Sequence, residues 1–309
     1  MDSQTIRTLL GKIQAEPDSE ASYQELAFAV KEPAGDLSAE ELSRLLDAAR
    51  EKHAERGEWF AVAALLEVAV AAAGSTERER ELVALQAKVL RDELFDEDGA
   101  EIAYLRLLEL APGDQSATQG VEEADSKRKR YPELLKGYLE EAESAQDDVY
   151  RGSMLMRAAE MDLRFASPDQ DRAPAVERLE RAVRLDPTNE RAAQMLEVHY
   201  RRAQRWEDVE RTLERLADRA DKPATRVIAG VRLARVFAQH LSDQERAARA
   251  YDRVLKDAPD HAEAMGFLTE LYSSGERWAE LCALYERQLS QKNLSDPALL
   301  GDMLQVAML

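Results

Sequence analysis

The chain has 309 residues, 33 % of them charged and 6 % aromatic, with only 13 glycines. Ala, Leu, Glu and Arg dominate, a composition that favours helix and suits many small helix–helix seams better than one large core. The net charge of −19 works against nucleic acid and anionic membrane as partners unless a local basic patch exists, and the single cysteine, Cys282, excludes an internal disulfide framework.

The N-terminus shows no basic-then-apolar export pattern. The most apolar run, Phe60 to Gly74, is Ala-rich, contains Glu67 and is too short to span a bilayer. A reducing, cytoplasmic location is therefore expected.

In chain order, apolar periodicity and turn signals predict helices over 2–14, 20–31, 38–55, 57–73, 77–94, 98–110, 115–129 and 131–145. They continue over 148–165, 172–185, 189–203, 206–219, 223–239, 244–256, 260–273, 277–290 and 296–309. Connections this short make sequential helices antiparallel neighbours. The first pair, closed by Glu32-Pro33-Ala34-Gly35, falls outside the period that follows, so residues 1–35 are expected to cap a repeat region over 36–309.

That period shows first in the aromatics. Trp59, Tyr131, Trp206 and Trp278 open helices at spacings of 72, 75 and 72 residues. Behind each runs an apolar stripe on one helical face: Val62, Leu66, Val70; Leu134, Tyr138, Ala142; Val209, Leu213, Ala217; Leu281, Tyr285, Leu289. Pro112, Pro187 and Pro259 each stand 19 residues before the next aromatic. Each ends a helix bearing Ala100, Tyr104, Leu107, or Ala175, Leu179, Ala182, or Ala247, Tyr251, Val254. Small residues let the helices approach, the large one fills the gap, and the proline forces the turn. The repeating object is thus a double unit of 72 to 75 residues.

The Ala-x3-large-x2-small-x4-Pro offset resembles the second helix of tetratricopeptide repeats. Leu196 with Tyr200, and Leu268 with Tyr272, match the Leu and Tyr of that family's first helix. The family's Gly is replaced by Glu197 and Thr269, and its Trp by Ala193 and Met265, so these seams are expected to pack differently. The likeness covers roughly residues 38–309 and implies an all-α, right-handed solenoid of antiparallel helix pairs. In style, the array is also similar to large bacterial, myxobacterial-type repeat scaffolds.

The resemblance further implies a concave face, lined by first helices, on which a partner lies. By register its lining here is Gln119 and Glu123, with Lys127; Arg191, Gln194, Met195, Val198 and Arg202; then Glu263, Phe267 and Glu270. Met195, Val198 and Phe267 are either apolar anchors for a partner or packing against the neighbouring first helix. The basic run Lys127, Arg128, Lys129, Arg130, echoed by Arg201, Arg202 and Arg205, sits at expected first-helix ends. It either complements helix dipoles or forms a ridge for an acidic partner.

No catalytic constellation emerges. The four histidines, His53, His199, His240 and His261, are scattered, and Asp96-Glu97-Asp98-Gly99 resembles a calcium loop but lacks its spaced ligands. Cys282, next to stripe residue Leu281, reads as a packing cysteine. Neither metal nor cofactor is expected.

The function expected is a non-enzymatic scaffold or adaptor for a protein or peptide partner. The alternative is a spacer or regulatory segment of a larger multidomain bacterial protein. The apolar 296–309 helix lacks a covering partner, which suggests a longer array or self-association through that helix.

Overall fold

A computed structural model describes residues 3–31, 37–166 and 171–291. Among them there is helix and no strand. The chain divides into two compact units, residues 1–186 and 187–309. The first contains α1 (Ser3–Ala15), α2 (Glu20–Ala29), α3 (Ala39–Glu55), α4 (Trp59–Ala71) and α5 (Thr76–Asp92). It continues with α6 (Glu97–Leu110), α7 (Gln115–Ser144), α8 (Asp148–Phe165) and α9 (Ala173–Leu185). The second contains α10 (Glu190–Arg202), α11 (Trp206–Arg219), α12 (Pro223–Arg235), a π-turn (Val236–His240), α13 (Gln244–Asp257), α14 (Ala262–Ser274) and α15 (Trp278–Gln291). Within each unit successive helices pack in series, the all-α arrangement of a helix-pair solenoid.

The packing frame seen in the period is the core. All nine frame residues, Ala100, Tyr104, Leu107, Ala175, Leu179, Ala182, Ala247, Tyr251 and Val254, are buried. Each Leu, Val or Tyr so buried contributes roughly 1.5–3 kcal/mol. The N-terminal pair shares this economy: Ile6, Leu9, Leu10, Ile13 and Leu26 join Leu46, Leu65, Leu66 and Leu82 in one apolar cluster. Side-chain caps start most helices. Ser38 forms a capping box with Glu41, and Asp96, Asp114, Asp147, Asn189 and Asp243 each accept from a backbone N–H three residues on.

One turn recurs in three copies with the same bonds. The residue at the αL position is Gly57, Gln204 or Glu276, with φ of 67°, 53° and 53°. The next backbone N–H reaches back five residues, from Glu58 to His53 O, from Arg205 to Tyr200 O and from Arg277 to Tyr272 O, at 3.0, 2.9 and 2.8 Å. The same two residues also meet through their side chains. His53 Nδ1 lies 2.5 Å from Glu58 Oε2, and the Arg205 and Arg277 guanidinium groups sit 4.7 and 4.8 Å from the Tyr200 and Tyr272 ring centres. A ring and its partner thus clamp the chain where it reverses.

At the fourth copy the chain does not reverse. The helices expected over 115–129 and 131–145 are one continuous helix, α7, of 30 residues with Pro132 inside it. By register the clamping ring is replaced by Asp125 and the αL residue by Lys129. No ring is present to hold the turn, so backbone bonding continues through it. Tyr131 is anchored instead to α8, its hydroxyl donating to Asp162 Oδ1 at 2.6 Å. The buried Asp162 also accepts from Arg178 of α9. The stripe after Tyr131 is correspondingly shallow, with Leu134 and Tyr138 only half-buried.

The helix expected over 223–239 is α12 followed by the π-turn. His240 at its end stacks on Trp206, with centroids 3.5 Å apart and planes 8° apart, so Trp206 is a packing residue. The expected 296–309 helix and the Glu32–Gly35 break lie outside the described residues, as does the Leu289 side chain.

Candidate functional site

In the first unit, α5, α7 and α8 enclose a groove of about 510 Å³. It is lined by Gln119, Gly120, Glu123 and Lys127 of α7, Arg91 and Asp92 of α5, and Glu160 and Arg164 of α8. Three residues expected from register to meet a partner, Gln119, Glu123 and Lys127, therefore lie together, and all three are exposed. Gln119 donates to Glu123 at 2.8 Å.

The groove floor depends on Gly120. An added Cβ there would lie 2.6 Å from Tyr104 Cε2, so the Tyr104 ring occupies the space a side chain would take. Burial pushes the Tyr104 phenol above its ordinary range. The walls alternate in sign. Arg164, with its side chain 9 % exposed, pairs with Glu97 at 2.7 Å and Glu160 at 2.9 Å and lies over Phe95. Arg91 pairs with Asp92 at 2.9 Å, a bond that raises its pKa. The acidic turn at 96–98 is thus no loop of solvated ligands: Asp96 caps α6, and Glu97 is buried against Arg164.

In the second unit, the residues placed by register on the partner face are partly interior. Met195 and Val198 are 1 % and 5 % exposed, so these side chains are packing rather than surface anchors. Phe267 is half-buried with its ring 4.8 Å from that of Tyr251. Glu263 is held by the Arg235 fork at 2.6 and 2.7 Å and by the Tyr251 hydroxyl at 2.8 Å. Arg191 and Gln194 are half-buried, whereas Arg202 and Glu270 are exposed.

The basic residues separate in the same way. Arg128 pairs with Glu101 at 2.8 Å and Asp98 at 3.2 Å on α6. Arg201 pairs with Glu197 at 2.9 Å, and Arg205 with Asp208 at 2.5 Å. Lys127, Lys129 and Arg130 are exposed and make no ion pair among the described residues. These last lie in mid-helix, so complementing a helix end does not explain them.

Pattern reading missed the buried charges. Glu197, at the position of the family's Gly, is 1 % exposed and holds both Arg201 and Arg232. Its seam is filled by an ion cluster, whereas Thr269 at the equivalent position faces the Tyr285 hydroxyl at 3.5 Å. A Glu directly after the conserved-type Leu of a buried face was the available signal. Among the described residues no group of three His, Cys, Asp or Glu side chains is placed to hold a metal, and no helix is long and apolar enough to cross a membrane.

Antiparallel helix pairs packed in series, with one buried frame repeated through them, define a helical-repeat protein. Residues 264–296, which take in most of α14 and all of α15, match the tetratricopeptide repeat family. That match covers one helix pair, and the helices before it carry the recurring buried frame. No curated protein matches the chain. Among solved structures it is similar to that of Naa15/Naa10 bound to HypK-THB, at 17 % identity and a TM-score of 0.26, over 95 % of this chain and 46 % of that one. The chain therefore spans less than half the length of that neighbour.

Proposed function

We propose that this chain is a non-enzymatic scaffold that binds a partner protein or peptide in the groove between α5, α7 and α8. The observation that carries the reading is the groove itself. It is open, about 510 Å³ in volume, and set by first helices of successive pairs. Its lining alternates charge, which favours a polypeptide carrying both signs over a uniformly charged polymer. Exposed Lys127 on the α7 wall, with Arg130 one turn further along the same face, supplies cations that no ion pair consumes. A reducing, cytoplasmic setting goes with this reading.

The test places a photo-crosslinking amino acid at Gln119 and, as a control, at exposed Glu51 on α3. Position 119 is expected to capture a discrete partner in extract, and Lys127→Glu/Lys129→Glu/Arg130→Glu to reduce the capture. Equal capture from both positions, or none from 119, would remove this groove as the binding surface.

A further inference from the structure

A second groove, in the other unit, has a different electrostatic character. It is about 530 Å³ and lies between α11, the π-turn, α13 and the end of α14. One face of α13 supplies Arg246, Arg249, Arg253 and Lys256, at i, i+3, i+7 and i+10, and Arg277 closes one end. Against these five cations stand three lining carboxylates, Glu214, Glu245 and Asp252. Each carboxylate is already engaged: Glu214 by Arg253 at 2.9 Å, Glu245 by Arg277 at 2.7 Å, and Asp252 by Arg287 at 2.8 Å. Arg249 and Lys256 are exposed and make no ion pair among the described residues. Arg246 is also paired with Glu210 at 2.5 Å and Arg253 with Asp218 at 2.8 Å, so the groove cations left without a carboxylate are Arg249 and Lys256.

The repeat frame does not require these cations. By register, Arg253 corresponds to Arg106 on α6 and Arg181 on α9, so it belongs to the frame. Arg246 corresponds to Gly99 and Pro174, Arg249 to Ile102 and Glu177, and Lys256 to Glu109 and Arg184. Ile102 is 69 % exposed, which marks the Arg249 position as a surface one in another copy of the fold. A cation at 249 therefore contributes nothing to packing that the frame needs.

We infer that this groove binds a short acidic segment of a partner polypeptide, whose carboxylates engage Arg249 and Lys256. Charge complementarity selects the sign of the ligand. The aromatic residues select peptide over nucleic acid. Arg246 lies 4.1 Å from the Phe237 ring centre and Arg277 lies 4.8 Å from that of Tyr272, so guanidinium groups already cover the rings on which bases would stack. The negative surroundings also repel a long polyanion more than a short segment. This inference goes beyond the α5–α7–α8 reading and stands independently of it.

The test is fluorescence anisotropy on the full chain at low salt. The probes are a labelled twelve-residue Asp/Glu/Ser peptide and a neutral Gln/Ser peptide of equal length. The acidic peptide is expected to bind and the neutral one not to. Arg249→Glu/Lys256→Glu is expected to weaken binding about tenfold or more, the scale of two rim charges reversed. Arg249→Gln/Lys256→Gln should give a smaller loss, and Arg44→Glu/Lys52→Glu on α3, away from both grooves, should leave binding within about twofold. Circular dichroism checks that the variants, all at exposed positions, remain folded. Absence of acidic-peptide binding, equal binding by the 249/256 variants, or tighter binding of a single-stranded oligonucleotide of matched charge would each overturn the inference.

Discussion

Gly120→Ala gives a quantitative test of the groove floor. The new methyl would lie 2.6 Å from Tyr104 Cε2 and 2.8 Å from Cδ2 and Cζ. Comfortable carbon–carbon separation is about 3.5–4.0 Å, so the ring must move by about an ångström. Tyr104 is 5 % exposed and has little room to do so. Overpacking of this kind costs about 1–3 kcal/mol. The exchange also removes a helix-interior glycine, which by itself contributes about 0.5–1 kcal/mol of stabilisation. The expected net effect is a loss of up to about 2 kcal/mol.

Tyr104→Leu separates the two effects, because it removes the ring and imitates the Leu179 copy of the frame. In that background Gly120→Ala should become neutral or stabilising, giving a coupling of at least about 1 kcal/mol in the double-mutant cycle. Gly137→Ala on the same helix has nothing within 4 Å of the added carbon and should simply stabilise. Hydrogen exchange of α6 and α7 peptides, with urea midpoints alongside, measures all of these. If Gly120→Ala stabilises equally with Tyr104 or Leu at position 104, the close approach of α6 and α7 is refuted.

Three further outcomes are expected. Pro132→Ala should stabilise α7 by up to ~3 kcal/mol, because an interior proline removes a backbone bond and crowds the Arg128 carbonyl; no gain in the urea midpoint would mean that the helix breaks there after all. Glu197→Ala should cost about 3–5 kcal/mol by leaving Arg201 and Arg232 facing each other without their carboxylate. Local exchange in α10 and α12 reads that loss, and a change under ~1 kcal/mol would show the cluster to be dispensable. Burial, joined by nearby carboxylates, raises the Tyr23 and Tyr251 phenols far above their ordinary 10.0. The folded state then holds protons that the unfolded state loses. Stability is therefore complete below about pH 10 and declines as pH rises beyond it. Urea midpoints between pH 9 and 11 should show that slope, and Tyr23→Phe/Tyr251→Phe should flatten it.

How much of this was legible depends on which residues carry the information. The helix-pair frame could be read directly, because Ala100, Tyr104 and Leu107 recur with their apolar character intact wherever a second helix must bury the same face. Three turns could be read as well, since an aromatic and a reversal signal stand at fixed distance. The α7 continuity could not be read from Tyr131 and Pro132, which both fit a helix start. It depended on a ring missing six residues earlier, at Asp125, and that matters only because His53, Tyr200 and Tyr272 touch their turn partners in space. The candidate surface divided similarly. Register alone brought Gln119, Glu123 and Lys127 to one groove.

Helical period places residues on faces, and by itself it determined the all-α class and the packing frame. Only tertiary structure decided which faces are covered. It buried Met195 and Val198, drew Glu263 into the Arg235 fork, and filled the seam at Glu197 with charge. Period is a property of one helix, whereas exposure and ion pairing are set by what the neighbouring helices bring alongside.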